Sequence, residues 1–341
     1  MSATPRFQPP PIPPDLAVRE ARPEDNEALI ALELESPLHL GQSTLTFDRS
    51  PDFFRRHRLQ AEHHIVVGEM DGRLVGVTAA AIHDVAIQGK TRRLAYIHHG
   101  RVHPSVRRRG VAGALMLALI NWARERGAED PYWLIAPANE VSIAFSQRAG
   151  GRWPVNVGFV DIDLSRAEGS KPSRLGPERL AEAAELVNST HAGEELFEPY
   201  TPETLLARLA RDAQYGLRHL RGMVRDGQLV AVAGFWDWGA SVEGITIDTA
   251  TGEVTRSRTA AVLDWGHAPR QRDALALLLR SLAAEARRAG RTALTLCEPS
   301  PGVLPDTGLP ARRWGLSLVT PTLPPPPRQS IRGLFADMVY V

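Results

Sequence analysis

Cysteine is almost missing from this 341-residue chain, which has one, Cys297. An intramolecular disulfide framework and a cysteine-cluster zinc site are thereby excluded. Cys297 closes the apolar run Ala293-Leu-Thr-Leu-Cys297 and reads as a packed thiol rather than a nucleophile. Net charge is missing too. Forty Lys and Arg against 39 Asp and Glu leave +1, so no global basic field points to nucleic acid. No apolar stretch reaches the roughly 18 residues a membrane helix requires, and the first residues lack a secretory signal pattern. These absences predict a soluble, cytoplasmic protein without a nucleic-acid or membrane partner.

What the chain does have is the turn His103-Pro-Ser-Val-Arg-Arg-Arg-Gly-Val-Ala-Gly113. The run Leu94-Ala-Tyr-Ile-His-His-Gly-Arg-Val102 before it predicts a strand. The run Val111–Trp122 after it predicts a helix with Leu115, Ala118, Leu119 and Trp122 on one face. At such a junction the unpaired amides and the dipole of a helix N-terminus converge on an anion. Gly110 removes a side chain where a phosphate would approach, and Val111, Ala112 and Gly113 make a thin first turn. Arg107, Arg108 and Arg109 add positive charge. The reading is a pyrophosphate cradle; the plainer alternative is an arginine-rich turn opening a surface helix. The turn lacks both the lysine of a Walker loop and the Gly-x-Gly-x-x-Gly of a dinucleotide fold.

The pattern Arg107-x-x-Gly110-x-Ala112 resembles the acetyl-CoA-binding motif of the GNAT acyltransferase superfamily, Gln/Arg-x-x-Gly-x-Gly/Ala. The surroundings agree. Leu16–Glu20 reads as a strand, and Pro23-Glu-Asp opens a helix bearing Ala28, Leu29, Leu32 and Leu34. A second helical piece is expected near Asp52–Glu62. His64–Gly68 and Leu74–Ala79 flank a turn at Asp71-Gly72, a hairpin signal. After the cradle helix, capped by Gly127, come a strand at Tyr132–Ala136, a helix from Asn139 to Gly150 and a strand at Gly158–Leu164. The segment from Asn139 resembles the family's second motif.

A second copy follows. Asp71-Gly-Arg-Leu-Val-Gly-Val is echoed by Asp226-Gly-Gln-Leu-Val-Ala-Val, and Arg107-Arg-Arg-Gly by Arg270-Gln-Arg-Asp. Asp273 stands for Gly110 and Leu275 for Ala112, so a carboxylate and a bulky side chain occupy the second cradle. This copy is not expected to bind CoA there. The fold class implied is α/β of α+β type: two tandem GNAT-like domains, each a mixed, mostly antiparallel sheet flanked by helices. The expected divisions are a disordered Pro-rich tail at 1–15, a catalytic domain at 16–165, a linker at 166–174 and a degenerate domain at 175–341. In the last, Pro324–Pro327 reads as a rigid connector and Leu334–Val341 as a closing strand. Trp236, Trp238 and Trp265 read as core or domain-interface residues. The arrangement is similar to tandem members of the superfamily such as mycothiol synthase-type enzymes.

The resemblance implies an N-acetyltransferase with acetyl-CoA as co-substrate, no metal, and a small-molecule or protein amine as acceptor. A homodimer is left open. In the family, the strand before the cradle pairs with the pantetheine arm, which puts Gly100, Arg101 and Val102 beside the cofactor, along with Arg107–Gly113 and Asn139. For a general base His98 is favoured on its ordinary pKa of about 6.5, with Tyr96 orienting it or the substrate. Strand alternation separates His98 from His99, so His98, His99 and His103 read as polar residues rather than a metal cluster. Glu33, Glu35 and His39 stand where the acceptor wall lies, although solvated helix faces are the plainer reading. The family usually keeps a tyrosine as general acid seven residues after its asparagine; here that position is Ser146. This departure leaves open a CoA-binding regulatory or interaction protein without turnover.

Overall fold

Two Asp-Gly pairs set the framework. Asp71 and Gly72 have φ of 50° and 72°, and Asp226 and Gly227 have 50° and 78°. Positive φ at both central residues is what a tight two-residue hairpin turn demands. A computed structural model describes residues 11–151, 156–169, 171–321 and 333–339. Its N-terminal half runs β1 (Ala17–Glu20), α1 (Asn26–Glu35), β2 (Leu38–Leu40), β3 (Ser43–Asp48), β4 (Glu62–Met70), β5 (Arg73–Ile87), β6 (Lys90–Val102), α2 (Val111–Glu125), β7 (Asp130–Ile135), α3 (Glu140–Arg148) and β8 (Asn156–Asp163). The C-terminal half runs β9 (Ser173–Arg174), α4 (Leu180–Thr190), α5 (Pro202–Leu209), β10 (Leu220–Arg225), β11 (Gln228–Trp236), β12 (Glu243–Asp248), β13 (Val254–Ser257), β14 (Thr259–His267), α6 (Arg272–Arg288), β15 (Ala293–Glu298) and β16 (Ala311–Val319).

Twelve strands form one sheet in the order β1-β4-β5-β6-β7-β16-β8-β15-β14-β11-β10-β9. Each half contributes one parallel pair bridged by a helix, β6-α2-β7 and β14-α6-β15, while its hairpins are antiparallel. The two halves exchange their last strands. β16 inserts between β7 and β8, and β8 lies against β15, so each half completes the other's sheet. A small sheet, β13-β12-β3-β2, joins a hairpin from each half through β3 and β12.

Helix α2 buries Leu115, Leu119 and Trp122 against one sheet face, and α6 buries Leu275, Leu278, Leu279 and Leu282 in the corresponding place. Each such side chain contributes roughly 2 kcal/mol of hydrophobic stabilisation. Tyr96 and Tyr132 face the opposite side, in a core shared by both halves. Trp236 and Trp265 are buried, and Trp238 stacks on Trp236 while meeting Phe47 and the Arg56 guanidinium of the other half.

Four expectations need correction. The second helical piece is two short 3-10 turns, Phe53–Arg55 and His57–Leu59. Residues 38–48 are a strand pair that the sequence reading missed. Residues 333–339 make a single bridge, Leu334 to Glu195, rather than a closing strand. Backbone bonds hold only their start, from Glu195 N to Gly333 O at 3.0 Å, from Leu334 N to Pro299 O at 2.9 Å and from Phe335 N to Glu195 O at 2.9 Å, while Leu334, Met338 and Val339 are buried. In the expected tail, Pro13 is buried. Residues 1–10, Pro324–Pro327 and 340–341 lie outside the described residues. Among those described, no helix is long and apolar enough to cross a membrane.

Candidate active site

Strand β6 carries an irregularity that shapes the site. His99 has φ of 57°, and the register with β5 shifts between Val77 and Ala79. Thr78 fills the bulge by donating its hydroxyl to His98 O at 3.1 Å. β6 pairs with β7 only from Leu94 to Tyr96, opposite Asp130 to Tyr132. Both strands then continue, to Val102 and Ile135, without pairing to each other. A wedge therefore opens beyond Tyr96, and Gly100, Arg101 and Val102 form its backbone edge.

The wedge leads to the N-terminus of α2. Gly110 caps that helix with φ of 92°, a conformation that costs glycine little and other residues more. The first helical bond runs from Ala114 N to Gly110 O at 3.0 Å, which leaves the amides of Val111, Ala112 and Gly113 ahead of it. Arg107 donates Nε to Val102 O at 3.2 Å, while Arg108 and Arg109 are exposed. The tail rests on this turn: a Cβ built on Gly110 would sit 2.5 Å from Pro11 O, and Asp15 pairs with Arg109 at 2.9 Å.

Behind the bulge lies a buried polar cluster. Glu33 is fully buried and accepts from Arg101 Nη2 at 2.8 Å and from His99 Nε2, with Arg49 Nε at 3.5 Å. Burial alone would raise its carboxyl pKa, yet Arg101, His99 and Arg49 hold it well below the usual range. His57 stacks on His98 and meets His99 at a tilt, with ring centroids 5.3 and 5.4 Å apart. Gln60 Nε2 lies 3.1 Å from His98 Nε2. Among the described residues several buried nitrogens here have no hydrogen-bond partner, among them both of His57, Nδ1 of His98 and Nη2 of Arg56. Buried polar groups usually have a partner in protein or water, so these nitrogens are the polar groups of the cluster with hydrogen-bonding capacity to spare. Two guanidinium groups, Arg49 and Arg101, pair with the one carboxylate of Glu33, and a third, Arg56, lies within the field of both Glu33 and Asp337; burial lowers the Arg56 pKa only to about 9, so it keeps its charge.

These contacts revise several sequence expectations. The bulge breaks the alternation, so His98 and His99 both reach His57 instead of facing apart. Burial and the Arg56 charge push the His98 pKa well below its ordinary value, which makes it a poorer proton acceptor than expected. Tyr96 stacks on His98 with centroids 5.2 Å apart, and burial raises its pKa. Glu33 is a buried anchor, whereas Glu35 and His39 are exposed. The Arg101 side chain turns inward to Glu33, so only its backbone faces the wedge. Asn139 caps α3 by accepting from Ser142 N at 3.1 Å. Ser146 accepts from Trp133 Nε1 at 2.9 Å. Trp133 packs in the core under α2, on the sheet face away from Tyr96, so Ser146 is not placed as the acid. Ser146→Ala is expected to cost about 1 kcal/mol in chemical denaturation and to leave kcat for any acceptor unchanged.

The C-terminal half has the same wedge, filled. Asp264 has φ of 45°, the register of β11 with β14 shifts beside it, and β14 pairs with β15 only at Thr259–Ala261. There, however, His191 donates Nε2–H to Trp265 O at 2.9 Å, and His267 N donates to Thr190 Oγ1 at 2.9 Å. Gly266 lies so close to α4 that a Cβ would approach Leu186 O to 2.5 Å. Gln271 rather than Asp273 caps α6; Asp273, in its first turn, pairs with Arg225 at 2.6 Å.

Residues 27–150 match the model of the Acetyltransferase (GNAT) family. This part of the chain is a GNAT domain. Solved structures with the same fold include Saccharomyces cerevisiae N-myristoyltransferase with bound myristoyl-CoA, at 11% identity and TM-score 0.66, covering 92% of this chain and 80% of that one. A GCN5-related N-acetyltransferase from Sphaerobacter thermophilus has 15% identity and TM-score 0.58, covering 91% and 97%. A GCN5-related glucosamine N-acetyltransferase region of a fungal multi-domain beta-N-acetylglucosaminidase has 14% identity and TM-score 0.60, covering 90% and 38%. Among curated proteins no match is found. The GNAT fold thus accounts for the mixed, mostly antiparallel sheet flanked by helices across both halves.

Proposed function

We propose that the chain is an N-acyltransferase that moves an acetyl group from acetyl-CoA to an amine by direct attack in a ternary complex. The observation that carries this reading is the unpaired edge of β6, which runs from the orphaned donors around His98 to the free amides of α2. An extended arm with a pyrophosphate at one end and a thioester at the other fits that track. Gly100, Arg101 and Val102 would bind the arm through their backbone. The amides of Val111, Ala112 and Gly113, with Arg107 and Arg108, would hold the pyrophosphate. Acetyl-CoA supplies the activated thioester. His98 and His57, neutral in this surrounding, would place N–H groups near its carbonyl, where the excess of guanidinium charge favours developing negative charge. The names of the structural neighbours, which mention myristoyl-CoA and N-acetyl transfer, agree with an acyl-CoA and an amine.

The C-terminal half is proposed as a degenerate GNAT-like domain that completes the acceptor cleft and does not bind CoA, since α4 fills its wedge. Calorimetry should show one acetyl-CoA per chain, and coenzyme A thiol should appear when an amine is added. His98→Ala should lower kcat about 100-fold with little change in acetyl-CoA affinity. Comparing acetyl-CoA with myristoyl-CoA tests the acyl length. A second reading, a CoA-binding protein without turnover, is favoured by the weak basicity of His98 and the displaced Ser146. Tight binding with no thiol release over a broad amine panel would establish it.

A further inference from the structure

The segment before β1 lies across the mouth of α2. Leu16, one residue ahead of β1, packs with Val111 and Leu115 in the core under α2. Its amide donates to Pro13 O at 3.1 Å, which turns the chain back over the helix N-terminus. Pro13 is buried there. All three atoms nearest a Cβ built on Gly110 belong to this segment: Pro11 O at 2.5 Å, Pro13 Cδ at 3.4 Å and Pro11 C at 3.6 Å. Asp15 meets Arg109 at 2.9 Å. Under this cover Val111 and Gly113 are buried, and Gly110 and Ala112 are only partly exposed. The chain thus brings its own substitutes for a pyrophosphate: a carbonyl oxygen at the bare glycine and a carboxylate on a flanking arginine. Three of the five residues 11–15 are prolines. Proline has an acceptor and no backbone donor, which suits a segment laid against the free donors of a helix end.

We propose that residues 11–15 are an autoinhibitory strap, which occupies the cradle and must lift off Gly110 before coenzyme A binds. The inference rests on the acyl-transfer reading, which puts the pyrophosphate at this turn, and adds to it a conformational step that gates the cofactor. The strap is held firmly enough to be ordered and lightly enough to leave. Its firm points are the buried Pro13 and the preset φ of its prolines, which lowers the entropy lost on docking. Its light points are the rest. Both members of the Asp15–Arg109 pair are exposed, at 42% and 49% of the side chain, and a pair of that kind contributes little. Pro11, Ile12, Pro14 and Asp15 are exposed as well. Leu16 stays anchored against α2, so the strap can swing from that point and leave the pairing of β1 with β4 intact. Strap and coenzyme A exclude each other. The apparent affinity for coenzyme A is therefore its intrinsic affinity reduced by the fraction of molecules with the strap open, and bound coenzyme A shifts the population towards the open form.

The test has two arms, both on the full chain. In the first, coenzyme A is titrated calorimetrically into wild type, into the double variant Pro11→Gly with Pro13→Gly, and into Asp15→Asn. The double variant alters no charge; it removes the buried ring and frees the unbound strap, so it should bind coenzyme A about 10-fold more tightly. Asp15→Asn should bind it about 3-fold more tightly. In the second arm, hydrogen exchange at the Leu16 amide of wild type is followed with and without coenzyme A. Lifting the strap breaks the bond from Leu16 N to Pro13 O, so exchange should speed up when coenzyme A is bound. Unchanged or weaker binding by the double variant, or slower exchange at Leu16 on binding, would overturn the proposal and leave the acyl-transfer reading standing, with the segment then beside the cofactor or closing over it. No binding of coenzyme A by wild type or by either variant would overturn the acyl-transfer reading itself, and the strap with it.

Discussion

Gly110→Asp should abolish measurable acetyl-CoA binding, a loss of at least about 100-fold, while the protein remains folded. Two effects act together. The substitution puts a carboxylate at the mouth of a helix whose free amides and flanking arginines would otherwise face a pyrophosphate. It also places a Cβ where φ is 92° and where Pro11 O would lie 2.5 Å away. Gly110→Ala separates the two, because it carries the backbone strain and the Pro11 contact without the charge. Alanine should cost about 1 kcal/mol of stability and a modest part of the affinity, and aspartate the rest. Calorimetry with acetyl-CoA at two salt concentrations reads the result, since the charge-dependent part is screened and the steric part is not. If alanine and aspartate weaken binding equally, the cradle acts through shape and not through its field. If neither weakens it, the pyrophosphate does not sit at this turn.

The residues that sequence reading placed well are those whose structure is decided locally. Asp71-Gly72 and Asp226-Gly227 announce their hairpins because only a few residue types accept positive φ twice in succession. The apolar face of α2 and the glycine at 127 announce that helix for equally local reasons. What escaped is decided at a distance. The insertion of β16 between β7 and β8 depends on pairings such as Leu316 with Val157, which no periodicity within either segment encodes. The bulge at His99 is a non-glycine residue at positive φ, held by Thr78 from the neighbouring strand, and simple alternation fails there without warning. Ser146 stands by count where the family keeps its tyrosine, but it departs from that pattern and its hydroxyl faces Trp133. Glu33 was the least legible. On a short helix a glutamate reads as solvated, and its partners His99 and Arg101 are 66 and 68 residues away.

That buried glutamate carries the largest expected effect on stability. Glu33→Gln should destabilise the protein by about 3–5 kcal/mol near neutral pH, the cost of leaving buried charges without their partner. Glutamine keeps the shape and can still accept one hydrogen bond, but Arg101 and Arg49 would then be buried against each other with no anion between them. The pH dependence identifies the cause. The folded-state pKa of Glu33 lies below its unfolded value, so its stabilisation is fully present above about pH 4.3, the ordinary glutamate value, and is lost as pH falls towards the folded value. Urea denaturation across the acid range should therefore show a falling limb in wild type that is shallower in Glu33→Gln, with the two curves converging at low pH. Parallel curves would mean that Glu33 is not the ionised anchor of the cluster. Convergence would show that the excess cationic charge beside His98 is held in place by this one carboxylate, which is the condition the proposed thioester site requires.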